Sequence, residues 1–319
     1  MPNVIFSCAA ENDLRYFLQA RALVFSIREL GGSLSEERVV VNFIDDVDDR
    51  FRRELAALDA EVRVAPRVRI GPPPANKLRM LELETRDPEV LIALDCDTVV
   101  VGDLADLVND RIRAKIADTA RASAEWRSKV YASVGLELPS ERVEPTVGGD
   151  AKPPVYNSGV VFVPAALRET LRDAWVAEIE RLDAAVRRHP SLMNPRTRFF
   201  VEQYCFAHSI HRHDLPFELL PVEANFPTHV RVAEHLVPDP LEPRVLHYHR
   251  AVDFAGLLAR PETAAACGAV DRVNRVLAGR FGLPYDGLRE PAAPSPPPLY
   301  RRPMRSMRRI ARRLKEAWS

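Results

Sequence analysis

The sequence lacks the short motifs that mark several large enzyme classes. It contains no G-x-G-x-x-G or G-x-x-x-x-G-K-[ST] loop, no H-E-x-x-H pair and no G-x-S-x-G turn. These absences argue against a dinucleotide-binding oxidoreductase, a P-loop nucleotidase, a zincin protease and a serine hydrolase. The first apolar segment also leads into residues 8–11 without a glycine-rich loop for a triphosphate, which disfavours nucleotidyl transfer.

Cysteines and long apolar runs are scarce as well. The four cysteines stand at positions 8, 96, 205 and 267 with no C-x-x-C pair, so neither a disulfide framework nor a zinc knuckle is indicated. No apolar run approaches the roughly 20 residues of a membrane-spanning helix. The chain also shows no basic segment of the kind that begins a signal peptide. We therefore expect four reduced thiols in a cytoplasmic protein.

The chain has no net charge, but its charges are unevenly distributed. The 45 basic and 45 acidic residues cancel, whereas residues 300–319 alone hold eight basic residues and one acid. This tail is therefore +7 and the remainder of the chain is −7. Because an acidic body binds nucleic acid poorly, we expect no nucleic-acid partner.

A stripe of apolar residues runs through the basic tail at helical spacing: Met304, Met307, Ile310, Leu314 and Trp318. An apolar stripe among arginines is typical of a helix that lies on an anionic membrane. The same composition also suits a partner-binding helix or a solvated end. We expect residues 304–318 to dock the protein peripherally on the inner face of the cell membrane.

Strand and helix patterns alternate along the chain from its first residues. Strand patterns cover residues 4–8, 39–44, 62–64, 91–94, 98–101, 155–163 and 244–248. Helix patterns cover residues 14–30, 45–58, 76–84, 167–188, 199–211 and 262–278. The alternation predicts an α/β fold with a Rossmann-type, mostly parallel sheet and helices on both faces.

The same patterns suggest three regions. Residues 1–285 are predicted to form one catalytic domain, in which residues 118–154 interrupt the alternation as an insertion or lid. The aromatic rings of Trp126 and Tyr131 in that segment suit either an acceptor site or lid packing. Residues 286–299 form a proline-rich linker, and residues 300–319 form a basic amphipathic tail.

Two aspartates give the sharpest chemical signal. Asp95 and Asp97 directly follow the apolar run at 91–94, and at a spacing of two they point to the same side of an extended segment. The carboxyl end of a strand is where open α/β sheets bind ligands. Two carboxylates repel one another there unless a cation lies between them, and a divalent ion with oxygen ligands is the natural occupant. A helix-capping turn is the plainer interpretation.

One chemical interpretation of this pair is a phosphatase of the haloacid-dehalogenase type. Residues 95–99 satisfy the D-x-D-x-[TV] pattern of that class. The pattern stands on the first strand there, however, whereas several elements precede it here. The sequence also shows no later acidic metal-binding motif.

A second interpretation accounts for more of the chain. The D-x-D at 95–97 with Gly-Asp-Leu at 102–104, the Asn-Ser-Gly of 157–159, and Glu-Gln at 202–203 follow one another in order. Leu-Pro at 220–221 with Asn-Phe at 225–226, and the Leu-His-Tyr-His of 246–249, complete the series. Over about residues 3–255 this series resembles GT-A glycosyltransferases, in particular glycosyltransferase family 8, the group of glycogenin and lipopolysaccharide galactosyltransferases. The resemblance implies a GT-A-like fold.

The resemblance further implies that Asp95, Asp97 and His247 hold Mn²⁺, or Mg²⁺, against the diphosphate of a nucleotide sugar, with a UDP-sugar first among the donors. Mixed carboxylate and imidazole ligands favour Mn²⁺ over Ca²⁺. His249 stands two residues beyond His247 and faces the same side of a strand. Either histidine could be the ligand, and we assign His247 to the metal and His249 to the donor.

Further donor contacts are expected from four polar positions. Asn76 and Lys77 open a helical segment after the third strand, where a basic residue could meet a phosphate or the nucleotide. A solvated helix start would have the same sequence. Asn157 and Ser158 are expected to contact the donor sugar, and Gly159 to allow a close backbone approach.

Glu202 and Gln203 are the catalytic candidates. The resemblance implies that Glu202 hydrogen-bonds sugar hydroxyls and that Gln203 lies beside the anomeric carbon. The family has aspartate where this chain has Glu202, so the contact at that position differs by one methylene. Glu202 is also the one nearby carboxylate that could act as a nucleophile.

We therefore expect a hexosyltransferase that moves a sugar from a nucleotide donor to an unknown glycan or lipid-linked acceptor. Retention at the anomeric carbon is implied by the resemblance alone. A non-catalytic nucleotide-sugar-binding or membrane scaffold is a third interpretation, against which the intact acidic pair argues. The group of His208, His211 and His213 is interpreted as a helix end that favours cationic side chains, because its spacing does not place all three on one helix face.

Overall fold

A computed structural model of the protein describes residues 3–70, 73–83, 90–118, 123–192, 201–249, 252 and 256–288. Within these ranges the α-helices are α1 Leu14–Leu30, α2 Asp49–Ala56, α3 Ala124–Ser133, α4 Ala165–Arg188, α5 Val201–Arg212 and α6 Cys267–Phe281. The strands are β1 Val4–Glu11, β2 Arg38–Ile44, β3 Ala60–Ala65, β4 Val90–Leu94, β5 Thr98–Val100, β6 Ile112–Ile116, β7 Tyr156–Pro164, β8 Phe217–Leu219, β9 Phe226–Pro227 and β10 Val245–His247.

Seven of the strands form one sheet in the order β3-β2-β1-β4-β7-β6-β8. The first four are parallel neighbours, and β6 and β8 are also parallel to each other. Strand β7 is antiparallel to both β4 and β6, so it runs against the other six. A smaller sheet in the order β5-β10-β9 packs beside it.

Two hydrophobic cores cover the faces of the large sheet. Every residue of β4 and β7 is buried, as expected for central strands with helices on both sides. Alternate β1 residues enter different cores: Phe6 joins residues of α1 and α6, whereas Ile5 joins residues of α4 and α5. Burying one such side chain contributes roughly 1.5–3 kcal/mol. The predicted mostly parallel α/β sheet with helices on both faces is confirmed.

Local elements differ from the pattern in several places, since α3, β6, β8 and β9 were not predicted as a helix or strands. The helix predicted over residues 76–84 is instead a 3-10 helix over Pro73–Leu81, and residues 84–89 lie outside the described ranges. Strand β6 was not predicted at all, because Arg113 and Lys115 interrupt its apolar pattern. Both side chains are buried but paired: Arg113 donates to the Leu107 carbonyl and Lys115 bonds to Asp118.

The histidine-rich end of α5 corrects the sequence interpretation. His208 is fully buried, and its ring packs edge-on against Tyr131 at 4.3 Å between centroids. Burial, with a smaller contribution from the charge of Arg212, lowers the pKa of His208 to about 3. The interpretation as a cationic helix end is therefore wrong for His208, which is a neutral core residue, because its side chain faces α3 and α4, whereas His211 and His213 are exposed.

Helix α3 lies within the segment predicted as a lid. Tyr131 is 1 % exposed, and the Trp126 indole donates a 2.8 Å hydrogen bond to the Leu192 carbonyl. Both aromatic residues therefore contribute to packing. Residues 119–122 of this segment, the predicted linker from 289 onward and the whole basic tail lie outside the described residues. None of the helices in the described ranges has the length and apolarity needed to cross a membrane.

Candidate active site

Three chain segments meet where β4 ends. Asp95 follows the last residue of β4, and its N–H donates to the Gly159 carbonyl at 2.8 Å. Because β7 is antiparallel to β4, the beginning of β7 lies at the same sheet edge as the end of β4. In the small sheet, His247 pairs with Thr98, and the Tyr248 N–H donates to the Asp97 carbonyl at 3.0 Å. Strand pairing thus brings residues far apart in sequence to one place.

Both aspartates of the acidic pair approach His247. The His247 Nε2 atom is 3.5 Å from Asp97 Oδ1 and 4.0 Å from Asp95 Oδ2. Two ligands of one ion lie about 3–4 Å apart when each metal bond is about 2.1 Å. Nε2 is buried and has no hydrogen-bond partner among the residues that the structure describes, so its lone pair is available. The structure places both aspartates assigned to the metal beside His247, but among the described residues the group whose potential ligand atoms all lie within 4.8 Å of one another is Asp97, His247 and His249, without Asp95.

The charges of these groups shift one another's pKa values. Burial acts to raise the pKa of Asp97, but the nearby His247 imidazole outweighs it, and the pKa falls to about 2. Burial acts to lower the pKa of His247, and the Asp97 carboxylate outweighs it, so that pKa is raised. For Asp95, burial dominates over the Lys77 charge and raises the pKa. The charged form of Asp95 is therefore less favoured here than in water, and the neighbouring Asp97 carboxylate adds to this effect.

Lys77 is the central cation of the neighbouring cluster. Its ammonium group donates to Asp95 Oδ2 at 2.8 Å and to Ser158 Oγ at 3.0 Å, and lies 3.5 Å from Glu202 Oε1. Ser158 in turn donates to Glu202 Oε2 at 2.8 Å. Despite burial, these carboxylates raise the pKa of Lys77, so it stays protonated. The sequence-predicted residues Lys77, Ser158 and Glu202 therefore form one cluster with Asp95.

Asn76 belongs to a different network. Its Nδ2 donates to Glu11 Oε1 at 3.1 Å, and its Oδ1 accepts from the Val68 N–H at 2.9 Å. Arg67 joins Glu11 to Asp45, with a bidentate contact to Glu11 at 2.6 and 2.7 Å. Asn76 thus holds the carboxyl end of β1 to the segment after β3, and both ends of its amide are used within the protein.

A chain of amides fixes the orientation of His247. Asn157 Oδ1 accepts from the Gly159 N–H at 2.8 Å, which identifies that atom as the oxygen. Asn225 Nδ2 donates to it at 3.1 Å, so Asn225 Oδ1 faces His247 Nδ1 at 3.0 Å. Nδ1 therefore carries the proton, and Nε2 faces the aspartates. Asp118, bonded to Lys115, lies 3.4 Å from Asn157 Nδ2 and continues the chain.

The sequence assigned no role to Asn225, Asp118 or Lys115. For Asn225 a signal was present, since it stands in the Leu-Pro and Asn-Phe series at 220–226. For Asp118 and Lys115 there was none, because both stand in an irregular stretch at the edge of the presumed lid.

Gly159 makes its close approach to His247. A Cβ atom added at this position would lie 2.4 Å from His247 Cε1 and 2.9 Å from Nδ1. No side chain fits that space, so the imidazole can occupy its position only beside a glycine. We expected Gly159 to allow a close approach of the backbone to the donor. The close approach that the structure shows is to the His247 ring within the protein.

The remaining catalytic candidates stand at the beginning of α5. Glu202 is 2 % exposed, and both of its carboxylate oxygens have partners. Burial raises the pKa of Glu202, with Lys77 opposing. Gln203 Oε1 is buried, and none of the described residues forms a hydrogen bond to it, so this amide oxygen is not used by that part of the chain. His249 also lies near Asp97, with Nδ1 3.8 Å from Asp97 Oδ2.

The architecture is shared with solved glycosyltransferase structures. A complex of the galactosyltransferase LgtC with donor and acceptor sugar analogues is 13 % identical, with a TM-score of 0.53 over 86 % of this chain and 95 % of that one. An active-site mutant of LgtC gives a TM-score of 0.54 at the same identity and coverage. At this identity the likeness is one of fold. The fold is that of the GT-A glycosyltransferases.

The sequence matches the family model of the Rhodobacterales glycosyltransferase domain over residues 6–214, more than half of the chain. The chain belongs to this glycosyltransferase family. Comparison with curated proteins gave no match. The predicted resemblance to GT-A enzymes of the family 8 kind is confirmed, as is the prediction of a glycosyltransferase, and the phosphatase alternative is not favoured.

Proposed function

We propose that this glycosyltransferase is metal-dependent and transfers a hexose from a nucleotide-diphosphate donor, a UDP-sugar first among the candidates. The observation that carries the proposal is the approach of Asp97 and Asp95 to His247 Nε2, at 3.5 and 4.0 Å, an atom with no hydrogen-bond partner among the described residues. Two carboxylates and one imidazole suit Mn²⁺, with Mg²⁺ as the second candidate.

The charge of the cluster fits a divalent cation. Asp95, Asp97 and Glu202 carry three negative charges when ionised, and Lys77 supplies one positive charge, which leaves −2. A dication bound between Asp95, Asp97 and His247 makes the group neutral. When bound, it supplies Lewis-acid stabilisation of the charge that develops on a departing nucleoside diphosphate.

The remaining predicted residues are proposed to hold the donor sugar. Lys77 places a fixed positive charge beside Asp95, where it can meet a phosphate oxygen. Asn157 and Ser158 are proposed to contact the donor sugar at the same sheet edge. Gly159, Asn76 and His249 are proposed to line the same donor site. Glu202 and Gln203 are proposed to face the sugar, and the Oε1 of Gln203, which accepts no hydrogen bond from the described residues, supports a place near the reacting carbon.

The stereochemistry and acceptor follow from the family resemblance rather than from a contact. We propose retention, and a glycan or lipid-linked acceptor. Since both Glu202 oxygens are held by Ser158 and Lys77, this carboxylate is better placed to position Lys77 than to attack the donor.

Thermal shift in the presence of nucleotides tests this function. We expect UDP with Mn²⁺ to raise the melting temperature more than either alone, because each ligand completes the other's site. At 100 times its Kd, a ligand adds about 2.7 kcal/mol to the free energy of unfolding. Purine and pyrimidine nucleoside diphosphates compared side by side identify the base. Equal melting temperatures with and without Mn²⁺, for every nucleotide, would contradict the proposal.

The basic tail is proposed to bind the cytoplasmic face of an anionic membrane through residues 304–318. Its eight basic residues and apolar stripe support this location. We expect the full chain to co-sediment with vesicles rich in phosphatidylserine and not with phosphatidylcholine vesicles. Arg308→Glu with Arg312→Glu should reduce the bound fraction several-fold, as each basic residue near such a surface contributes about 1 kcal/mol. An unchanged bound fraction would count against membrane docking.

A further inference from the structure

His249 is a second imidazole beside Asp97. The two Asp97 oxygens face different rings: Oδ1 is 3.5 Å from His247 Nε2, and Oδ2 is 3.8 Å from His249 Nδ1. One ligand atom from each of Asp97, His247 and His249 lies within 4.8 Å of the others. These spacings are close to those of three ligands around one ion, about 3–4 Å.

The backbone holds His249 in this position. Its φ is +53°, in the left-handed region that non-glycine residues rarely adopt. Just after the end of β10, the Tyr248 N–H donates to the Asp97 carbonyl. The His249 carbonyl accepts a hydrogen bond from Gln19 Nε2 at 3.3 Å. His229 packs edge-on against the His249 ring at 4.2 Å between centroids. A rare backbone conformation that is held by several contacts is common at functional sites.

Asp95 is shared with another partner. The Asp95 oxygen that lies 4.0 Å from His247 is the same oxygen that accepts the Lys77 hydrogen bond at 2.8 Å. An oxygen already bonded to an ammonium group is a weaker donor to a metal ion. The ion therefore gains from one further ligand, and His249 lies in one group with Asp97 and His247.

We propose that His249 is a second imidazole ligand of the ion, and that it shifts the preference of the site from Mg²⁺ toward transition-metal ions. This inference rests on the proposed function and names the ion class of the same site. Imidazole nitrogen suits transition ions, whereas Mg²⁺ keeps oxygen ligands and water. The two rings are nearly parallel, 12° apart with centroids at 4.9 Å. The His249 ring must therefore turn toward the ion, which its half-exposed position permits.

Metal titration of the full chain tests the inference without any turnover. Co²⁺ binding is followed by its visible absorption bands, and Mg²⁺ binding by competition with Co²⁺. The variant is His249→Asn, because asparagine tolerates the left-handed backbone and removes the ring; His249→Gly removes every side-chain ligand under the same tolerance. His211→Asn, at an exposed position on α5, is the matched control.

We expect both His249 variants to bind Co²⁺ roughly 10- to 100-fold more weakly than the wild type, a loss seen even when only a supporting partner of a ligand is removed. Mg²⁺ binding should change much less, and His211→Asn should match the wild type. An unchanged ratio of Co²⁺ to Mg²⁺ affinity, whether both affinities fall or neither does, overturns the inference and leaves the proposed function standing. If the wild type binds neither ion, both fail.

Discussion

Asp97→Asn is expected to remove nearly all Mn²⁺-dependent hydrolysis of a UDP-sugar while the protein stays folded. Asp97 is the carboxylate that both imidazoles approach, with one oxygen 3.5 Å from His247 and the other 3.8 Å from His249. The amide has nearly the same shape but lacks the charge that holds a divalent ion. Loss of one electrostatic contribution in an active site typically costs about 100- to 1,000-fold in rate, and loss of the ion itself costs more. The measurement is UDP release at saturating donor.

Asp110→Asn makes the same chemical change at an exposed position just before β6 and serves as the control. It should retain the activity of the wild type. Melting temperatures of both variants establish that they are folded. A rate for Asp97→Asn close to that of the wild type, with the same Mn²⁺ dependence, would remove Asp97 from the metal site.

Gly159→Ala should produce the second large effect, through a single methyl group. The added Cβ would lie 2.4 Å from the His247 ring, which real contacts essentially never show. Since Gly159 does not have a positive φ, the alanine backbone is unstrained and the effect is purely steric. His247 must move away from Asp97 and from its Asn225 partner. We expect Mn²⁺ affinity to fall roughly 10- to 100-fold, as when the supporting contacts of a metal ligand are lost, and stability to fall by about 1–3 kcal/mol.

Gly268→Ala is the matched control for this substitution. Gly268 lies on α6, and a Cβ there meets no atom within 4 Å, so the helix should gain slightly in stability. Calorimetric titration with Mn²⁺ and a thermal melt give both quantities for each variant. Unchanged Mn²⁺ affinity in Gly159→Ala would mean that the ring position beside Gly159 is irrelevant to the ion.

The sequence predicted the parts of the fold that local patterns encode. Strand β4 is a continuous apolar run, and β1 and β7 each contain one at residues 4–6 and 160–163; an apolar run between turn signals indicates a buried strand. The acidic pair was placed correctly because it directly follows such a run. By contrast, β6 was missed because Arg113 and Lys115 are charged, and their burial is made possible by partners outside the strand: the Leu107 carbonyl, and Asp118. A pattern within the strand cannot indicate partners outside it.

Much of the candidate site depends on contacts between distant segments. The bond from Asn225 to Asn157 joins residues 68 positions apart, and the contact between Lys77 and Ser158 spans 81 positions. Such pairs arise only when β7 pairs antiparallel with β4 and when β10 aligns beside β5. The spacing of apolar residues along the sequence indicates neither of these strand pairings. His208 was wrongly predicted to be cationic for a related reason. Its charge state is set by the helices that pack around it and not by its neighbours in sequence.

The small β5-β10-β9 sheet has a practical consequence for how the protein can be divided. The family match ends at residue 214, whereas Asn225, His247 and His249 all come later in the chain. A fragment cut at that boundary would keep both aspartates and Lys77 but would lack every imidazole that approaches them. Its acidic edge would be left with unbalanced negative charge. Expression trials and domain swaps therefore need to extend past β10, even though the recognisable portion of the sequence stops earlier.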